Sequence, residues 1–190
     1  MGKIGEAVRQ TDAGEFGRAA GKGRARRIMG RLRRRAGTKE WLAEQEHRVV
    51  LNPRDWRGRW GSLFGSDKPI HVELGMGKGR FISLMSLEHP EWNFIGIDMY
   101  DELIRKGAEK AEDARAAWSE RNGGAEPPNN LRLALGNIEG IEEMFEPGEV
   151  ERIYLNFSDP WPKTRHAQRR LTHPAYLAKY KNILNENGEI

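Results

Sequence analysis

Residues 70–79 read Ile70-His71-Val72-Glu73-Leu74-Gly75-Met76-Gly77-Lys78-Gly79. A five-residue run of strand character follows Pro69 and leads straight into three alternating glycines. From Arg80 to Glu88, the apolar residues Phe81, Ile82, Leu84, Met85 and Leu87 suit a helix buried on a broad face. Glycines at the mouth of a helix allow a tight turn and a close approach of backbone to ligand. Spacing narrows the choice of ligand. A dinucleotide fingerprint, G-x-G-x-x-G, needs a third glycine where Arg80 stands, and a Walker A loop needs Ser or Thr where Gly79 follows Lys78. What remains is an acid on a strand followed by G-x-G-x-G.

The pattern repeats outward from this unit. His89-Pro90 stops the helix, Asn93 to Ile97 reads as a second strand ending at Asp98, and Asp101 to Arg121 reads as a long charged helix. A loop over Gly123 to Asn130 precedes a third strand, Leu131 to Leu135. A short helix over Ile138 to Phe145 then precedes a fourth strand, Val150 to Phe157. Pro174 to about Asn185 reads as a helix, and Asn187-Gly188 as a turn into the start of a fifth strand. Alternating strands and helices predict an α/β fold with a parallel, doubly wound sheet. In such a sheet ligands bind at the carboxyl ends of the strands. Asp98 is placed to accept both hydroxyls of a ribose, or to complement the dipole of the helix it precedes. Asn137, after the third strand, is a ligand contact or a helix cap.

The chain has no cysteine, which excludes disulfides, zinc–thiolate sites, iron–sulfur clusters and a cysteine nucleophile. No run of 18 apolar residues is present, no charged-then-apolar leader opens the chain, and no pattern of residues demands a metal. The net charge of +4 conceals a division. Residues 1–36 carry 11 Lys and Arg against three acids, residues 37–159 carry 15 against 23, and residues 160–185 carry six against none. Two basic blocks on an acidic body predict a polyanionic partner. Residues 1–36, with seven glycines and the closing run Arg33-Arg34-Arg35, read as a basic arm, solvated or phosphate-contacting. Met29 is an alternative start. Residues 37–190 form the domain. Its lead-in, up to Pro69, carries Trp41, Trp56, Trp60, Leu63 and Phe64, which are expected to pack onto it. The chain stops at Glu189-Ile190 as the fifth strand begins, so it is expected to be incomplete at its C-terminus.

The fourth strand closes on Asn156-Phe157-Ser158-Asp159-Pro160-Trp161-Pro162-Lys163. Two prolines around a tryptophan give a rigid, extended loop that holds Asp159 and Lys163 beside the ligand edge. Lys163-Thr164-Arg165-His166-Ala167-Gln168-Arg169-Arg170 follows without an acid, as a phosphate-binding surface would.

Together Glu73, Gly75, Gly77, Gly79 and Asp98 resemble the cofactor pocket of class I S-adenosylmethionine-dependent methyltransferases, which have a Rossmann-like sheet. The run Tyr154 to Lys163 and the block Arg165-His166-x-x-Arg169-Arg170-Leu171 are similar to one family, the bacterial tRNA (guanine-N7-)-methyltransferases. The resemblance spans roughly residues 32–190. It implies S-adenosylmethionine as donor and the N7 of a variable-loop guanosine, conventional tRNA nucleotide 46, as acceptor. It further implies cofactor contacts at Glu73, Gly75, Gly77, Asp98, Asn137 and Asp159. Asp159 matches the catalytic position, Lys163 a substrate contact, and Arg165, His166, Arg169 and Arg170 an RNA-binding stretch. Asn137 departs from the family, which commonly has Asp there, and Ala167 and Gln168 stand where further basic residues are common. The implied setting is cytoplasmic tRNA modification, with no membrane partner; monomer and homodimer fit equally. Two other readings remain open: a class I methyltransferase with another substrate, and a non-catalytic RNA-binding or inert fragment.

Overall fold

The computed structural model describes residues 35–156, 167, 168 and 170–190, all within the unit Leu32–Ile190. Among them, six strands form one sheet: β1 (Val49–Val50), β2 (Ile70–Leu74), β3 (Asn93–Asp98), β4 (Leu131–Leu135), β5 (Val150–Tyr154) and β6 (Leu184–Glu189). Every pairing is parallel and the order is β1-β4-β3-β2-β5-β6. The expected doubly wound sheet is therefore present. The chain steps from β2 to β3 to β4 in one direction, then returns to place β5 on the other side of β2. The strand order thus reverses between β2 and β5, and the carboxyl ends of the strands at such a reversal are the usual ligand position in open α/β sheets.

The helices are α1 (Thr38–Ala43), α2 (Trp60–Phe64), α3 (Arg80–Glu88), α4 (Asp101–Arg121), α5 (Ile141–Met144) and α6 (Pro174–Ile183). β2 and β3 are buried along their whole length because helices cover both faces, which is why they read as unbroken strand segments. One core holds Val72, Leu74, Ile95 and Ile97 with Ile141, Phe145, Tyr180 and Ile183. The other holds Phe94 and Leu133 with Leu42, Met76, Ile82 and Ile104. The lead-in tryptophans pack as expected. Trp60 is fully buried, stacks on Phe145 at 5.3 Å and donates its Nε1–H to the Met144 carbonyl at 2.8 Å, while Trp41 and Trp56 pack against the cores.

The structure adds one strand and corrects three expected elements. Val49–Val50 forms an edge strand beside β4 that two residues are too short to announce. The fourth strand ends at Tyr154, and of its expected extension Leu155 and Asn156 are outside the ladder while Phe157 lies outside the described residues. The helix after Asn137 is a 3-10 turn, Ile138–Gly140, followed by the short α5. The fifth strand expected after Asn187-Gly188 begins already at Leu184, and the Asn-Gly pair lies inside it. The pairing of β6 with β5 shifts register between Val150 and Arg152, so the extra residues are taken up as an irregularity in the strand.

Arg35, the last arginine of the basic stretch, is tied to α4. The Arg35 guanidinium contacts Glu102 at 3.1 Å and Glu109 at 2.8 Å, both on α4. The Arg35 backbone N–H and the Thr38 hydroxyl also donate to the buried Glu102 carboxylate, at 3.2 and 3.0 Å.

Candidate functional site

The glycine loop is built from three left-handed residues: Gly75 (φ 71°), Gly77 (φ 58°) and Gly79 (φ 69°). Side chains with a Cβ rarely adopt this backbone. The Gly75 and Met76 N–H groups both donate to the Ile97 carbonyl, at 2.9 and 3.0 Å, which anchors the loop to β3. Met76 is buried and points into the core over Gly96, where a Cβ would meet its sulfur at 2.7 Å. Gly79 begins α3 and crosses Gly107 of α4 so closely that a Cβ would lie 3.0 Å from the Gly107 Cα. Gly77 differs: among the described residues nothing lies within 4 Å of its would-be Cβ. The loop is thus held by its ends and open at its middle.

Two carboxylates flank it. Asp98 closes β3, is 6% exposed, and accepts N–H donors on both oxygens, from Gly77 at 3.1 Å and Tyr100 at 3.1 Å. Burial pushes its carboxyl up, and the N–H donors of Tyr100, Gly77 and Met99 oppose that shift. Glu73, inside β2, is 2% exposed. Its Oε1 accepts from the Asn156 side-chain amide at 3.2 Å, and its Oε2 is buried without a hydrogen-bond partner among the described residues. Burial pushes Glu73 up to about 7, the Asn156 amide and the start of α3 at Ile82 oppose this, and the Asp98 charge adds to it. Two buried acids around an open glycine turn suit a ligand that brings both hydroxyls and a cationic group.

Asn137 caps the 3-10 turn after β4. Its Oδ1 accepts from the Glu139 N–H at 3.0 Å, as the capping reading anticipated. It also lines a cleft of about 430 Å³ between the ends of β1 and β4, together with the ion pair Arg54–Glu143 at 2.6 Å. Met99 and Tyr100, just past Asp98, are 55% and 53% exposed and put apolar surface at the same edge.

Asp159, Lys163, Arg165, His166 and Arg169 lie outside the described residues. Arg170 is half-buried, and the neighbouring Leu171 reaches within 3.6 Å of the Cβ position at Gly75. The end of the basic block is therefore beside the glycine loop. The structure brings Glu73, Gly75, Gly77, Asp98 and Arg170 to one edge, with Asn137 at the end of the next strand. It adds two residues that the sequence presented without a role. Asn156 sits inside the quoted motif, and its contact with Glu73 spans 83 positions; Leu171 follows the arginines.

A protein-family model described as "Putative methyltransferase" matches residues 67–190. A tRNA (guanine-N(7)-)-methyltransferase of Lysinibacillus sphaericus (strain C3-41) is 44% identical over 160 residues, covering 84% of this chain and 69% of that protein. The chain belongs to the tRNA (guanine-N(7)-)-methyltransferase family. Another member, from Lactococcus lactis subsp. cremoris (strain MG1363), is 45% identical over 84% of this chain and 68% of its own length. Among solved structures, an antibiotic-related methyltransferase aligns with a TM-score of 0.47 at 16% identity, over 74% of this chain and 63% of that one. Among the described residues, no helix of this family member is long and apolar enough to cross a membrane.

Proposed function

We propose that this chain transfers a methyl group from S-adenosylmethionine to guanine N7 in the variable loop of tRNA, in the cytoplasm. The observation that carries the reading is the pair of buried acids, Glu73 and Asp98, around the open Gly77 turn. The residues present fit the donor. Glu73 Oε2, without a partner among the described residues, suits a cationic group, Asp98 suits ribose hydroxyls, and Gly77 leaves room for close approach. Exposed Met99 and Tyr100 offer an apolar wall for a base.

When bound, S-adenosylmethionine supplies an electrophilic methyl group on a sulfonium. Guanine N7 attacks with a lone pair and carries no proton, so the chain need not supply a general base for the attacking atom. Its work is alignment of acceptor and donor. The product base gains positive charge, and we assign Asp159 the role of orienting the base and stabilising that charge. Lys163 contacts the substrate, and Arg165, His166, Arg169 and Arg170 hold tRNA phosphates.

The test is to incubate the chain with S-adenosylmethionine and unmodified tRNA and to look for 7-methylguanosine by nucleoside mass spectrometry. Its appearance is the expected result. Donor binding with no transfer to tRNA, but transfer to a protein or small molecule, would instead favour a class I methyltransferase with another acceptor. RNA binding with no donor binding would favour a non-catalytic RNA binder.

A further inference from the structure

The contact between Asn156 and Glu73 crosses the point where strand order reverses. Asn156 stands just past the end of β5 and Glu73 lies in β2, and the two strands are paired with Glu73 opposite Tyr154. We propose that Asn156 is a positioning residue for the donor site: its amide holds Glu73 Oε1 and favours the ionised carboxylate, leaving Oε2 for the cationic group of the ligand. The inference rests on the reading of Glu73 as a contact of S-adenosylmethionine.

Three observations carry it. Glu73 is 2% exposed, and a buried polar atom without a partner is costly enough that native structures rarely keep one without a use. The two oxygens are unlike: Oε1 has the Asn156 amide at 3.2 Å, while Oε2 has no partner among the described residues. The third is the surroundings. On β3 the residue opposite Glu73 is Gly96, which has no side chain to offer, and the charged group that acts on Glu73 from β3 is Asp98, of like sign. On β5 Tyr154 is opposite; burial pushes its hydroxyl up, so it is neutral near pH 7. Along β2, burial holds His71 toward its neutral form. From α3 the contribution is the backbone at Ile82. No cation among these groups balances Glu73. The Asn156 amide is the side-chain donor that opposes the cost of its burial, in keeping with a carboxyl that sits at about 7.

Ligand capture and ionisation of Glu73 are then coupled. S-adenosylmethionine affinity, measured by calorimetry on the full chain between pH 5.5 and 9, should fall about tenfold per pH unit below the Glu73 midpoint, so that a shifted midpoint weakens a variant at low pH and leaves it close to wild type at the top of the range. Asn156→Ala should move that midpoint up by about one pH unit, the size expected for losing one hydrogen bond to a charged group. Asn156→Asp keeps the size, removes the donor and adds a like charge, so it should move the midpoint at least as far. It decides alone if thermal unfolding shows that the alanine variant does not fold. A wild-type affinity that is flat across this range overturns the inference. So does a variant that weakens binding by the same factor at every pH, as a merely structural residue would. Failure of the wild-type chain to bind S-adenosylmethionine at any pH overturns the donor reading itself, and the inference with it.

Discussion

The backbone N–H of Gly77 donates to Oδ2 of Asp98 at 3.1 Å, so the open middle of the glycine loop is tied directly to the end of β3. The other oxygen accepts from Tyr100 N–H at the same distance. Because both oxygens face backbone donors, an amide in place of the carboxylate must turn its own NH₂ toward one of them. Asp98→Asn is therefore expected to lower S-adenosylmethionine affinity by at least about tenfold, the equivalent of one hydrogen bond to a charged group. Calorimetric titration checks this, and an affinity equal to wild type would remove Asp98 from the site.

Glu73 imposes a stability cost that depends on pH. Its carboxyl is raised from 4.5 to about 7 on folding, so its favourable contribution is complete below 4.5 and lost as pH rises through about 7. Glu73→Gln keeps an acceptor for Asn156 and removes the charge. We expect it to stabilise the fold by up to about 3 kcal/mol at pH 8 and by little at pH 4.5, while weakening donor binding. Chemical denaturation at the two pH values reads the difference; an equal effect at both would refute the burial argument.

Gly77 and Gly79 share a left-handed backbone but not the same surroundings. Gly77→Ala meets no atom of the described residues within 4 Å, so its cost to the fold is the backbone contribution of about 1–2 kcal/mol. Gly79→Ala adds a Cβ 3.0 Å from the Gly107 Cα, where α3 and α4 cross, and backbone cannot swing aside. Gly79→Ala should therefore lower the unfolding temperature more than Gly77→Ala, and Gly77→Ala should act mainly on ligand affinity. The reverse ranking in thermal unfolding would contradict this packing.

For the acceptor side, the role proposed for Asp159 places its charge at the transition state, so Asp159→Asn should reduce turnover far more than tRNA affinity. Replacing Arg165, Arg169 and Arg170 by Ala should weaken tRNA binding and flatten its dependence on salt, by close to one unit of slope for each phosphate that is no longer neutralised. Filter binding across a salt series, beside single-turnover rates, separates the two effects. Unchanged turnover in Asp159→Asn would end that assignment, and an unchanged slope would end the other.

Much of the fold was legible because its central elements obey local rules. Ile70–Leu74 and Leu131–Leu135 are strands with the bounds the pattern predicts, and Arg80–Glu88 and Asp101–Arg121 are helices with the predicted bounds. The strands are short apolar runs set off by glycine, proline or a turn, and the helices carry their apolar residues at helical spacing. The edges were not legible. Val49–Val50 is too short to have a period, and Leu184–Glu189 carries Asn185, Glu186 and Asn187. Both are strands because a neighbour offers a free ladder of backbone groups, which no local pattern records.

For the site, the sequence by itself placed Glu73, the three glycines and Asp98 at the ends of adjacent strands, since strand–turn–helix order puts those positions at the carboxyl edge. It also marked Asn156 as part of a motif. Only the tertiary structure decided that β5 lies against β2 rather than beyond β4, which brings Asn156 to Glu73 and buries one carboxylate oxygen with no partner among the described residues. Chain order fixes what each strand end carries. Which ends meet, and how far their charges are removed from water, follows from the pairing and burial of distant segments.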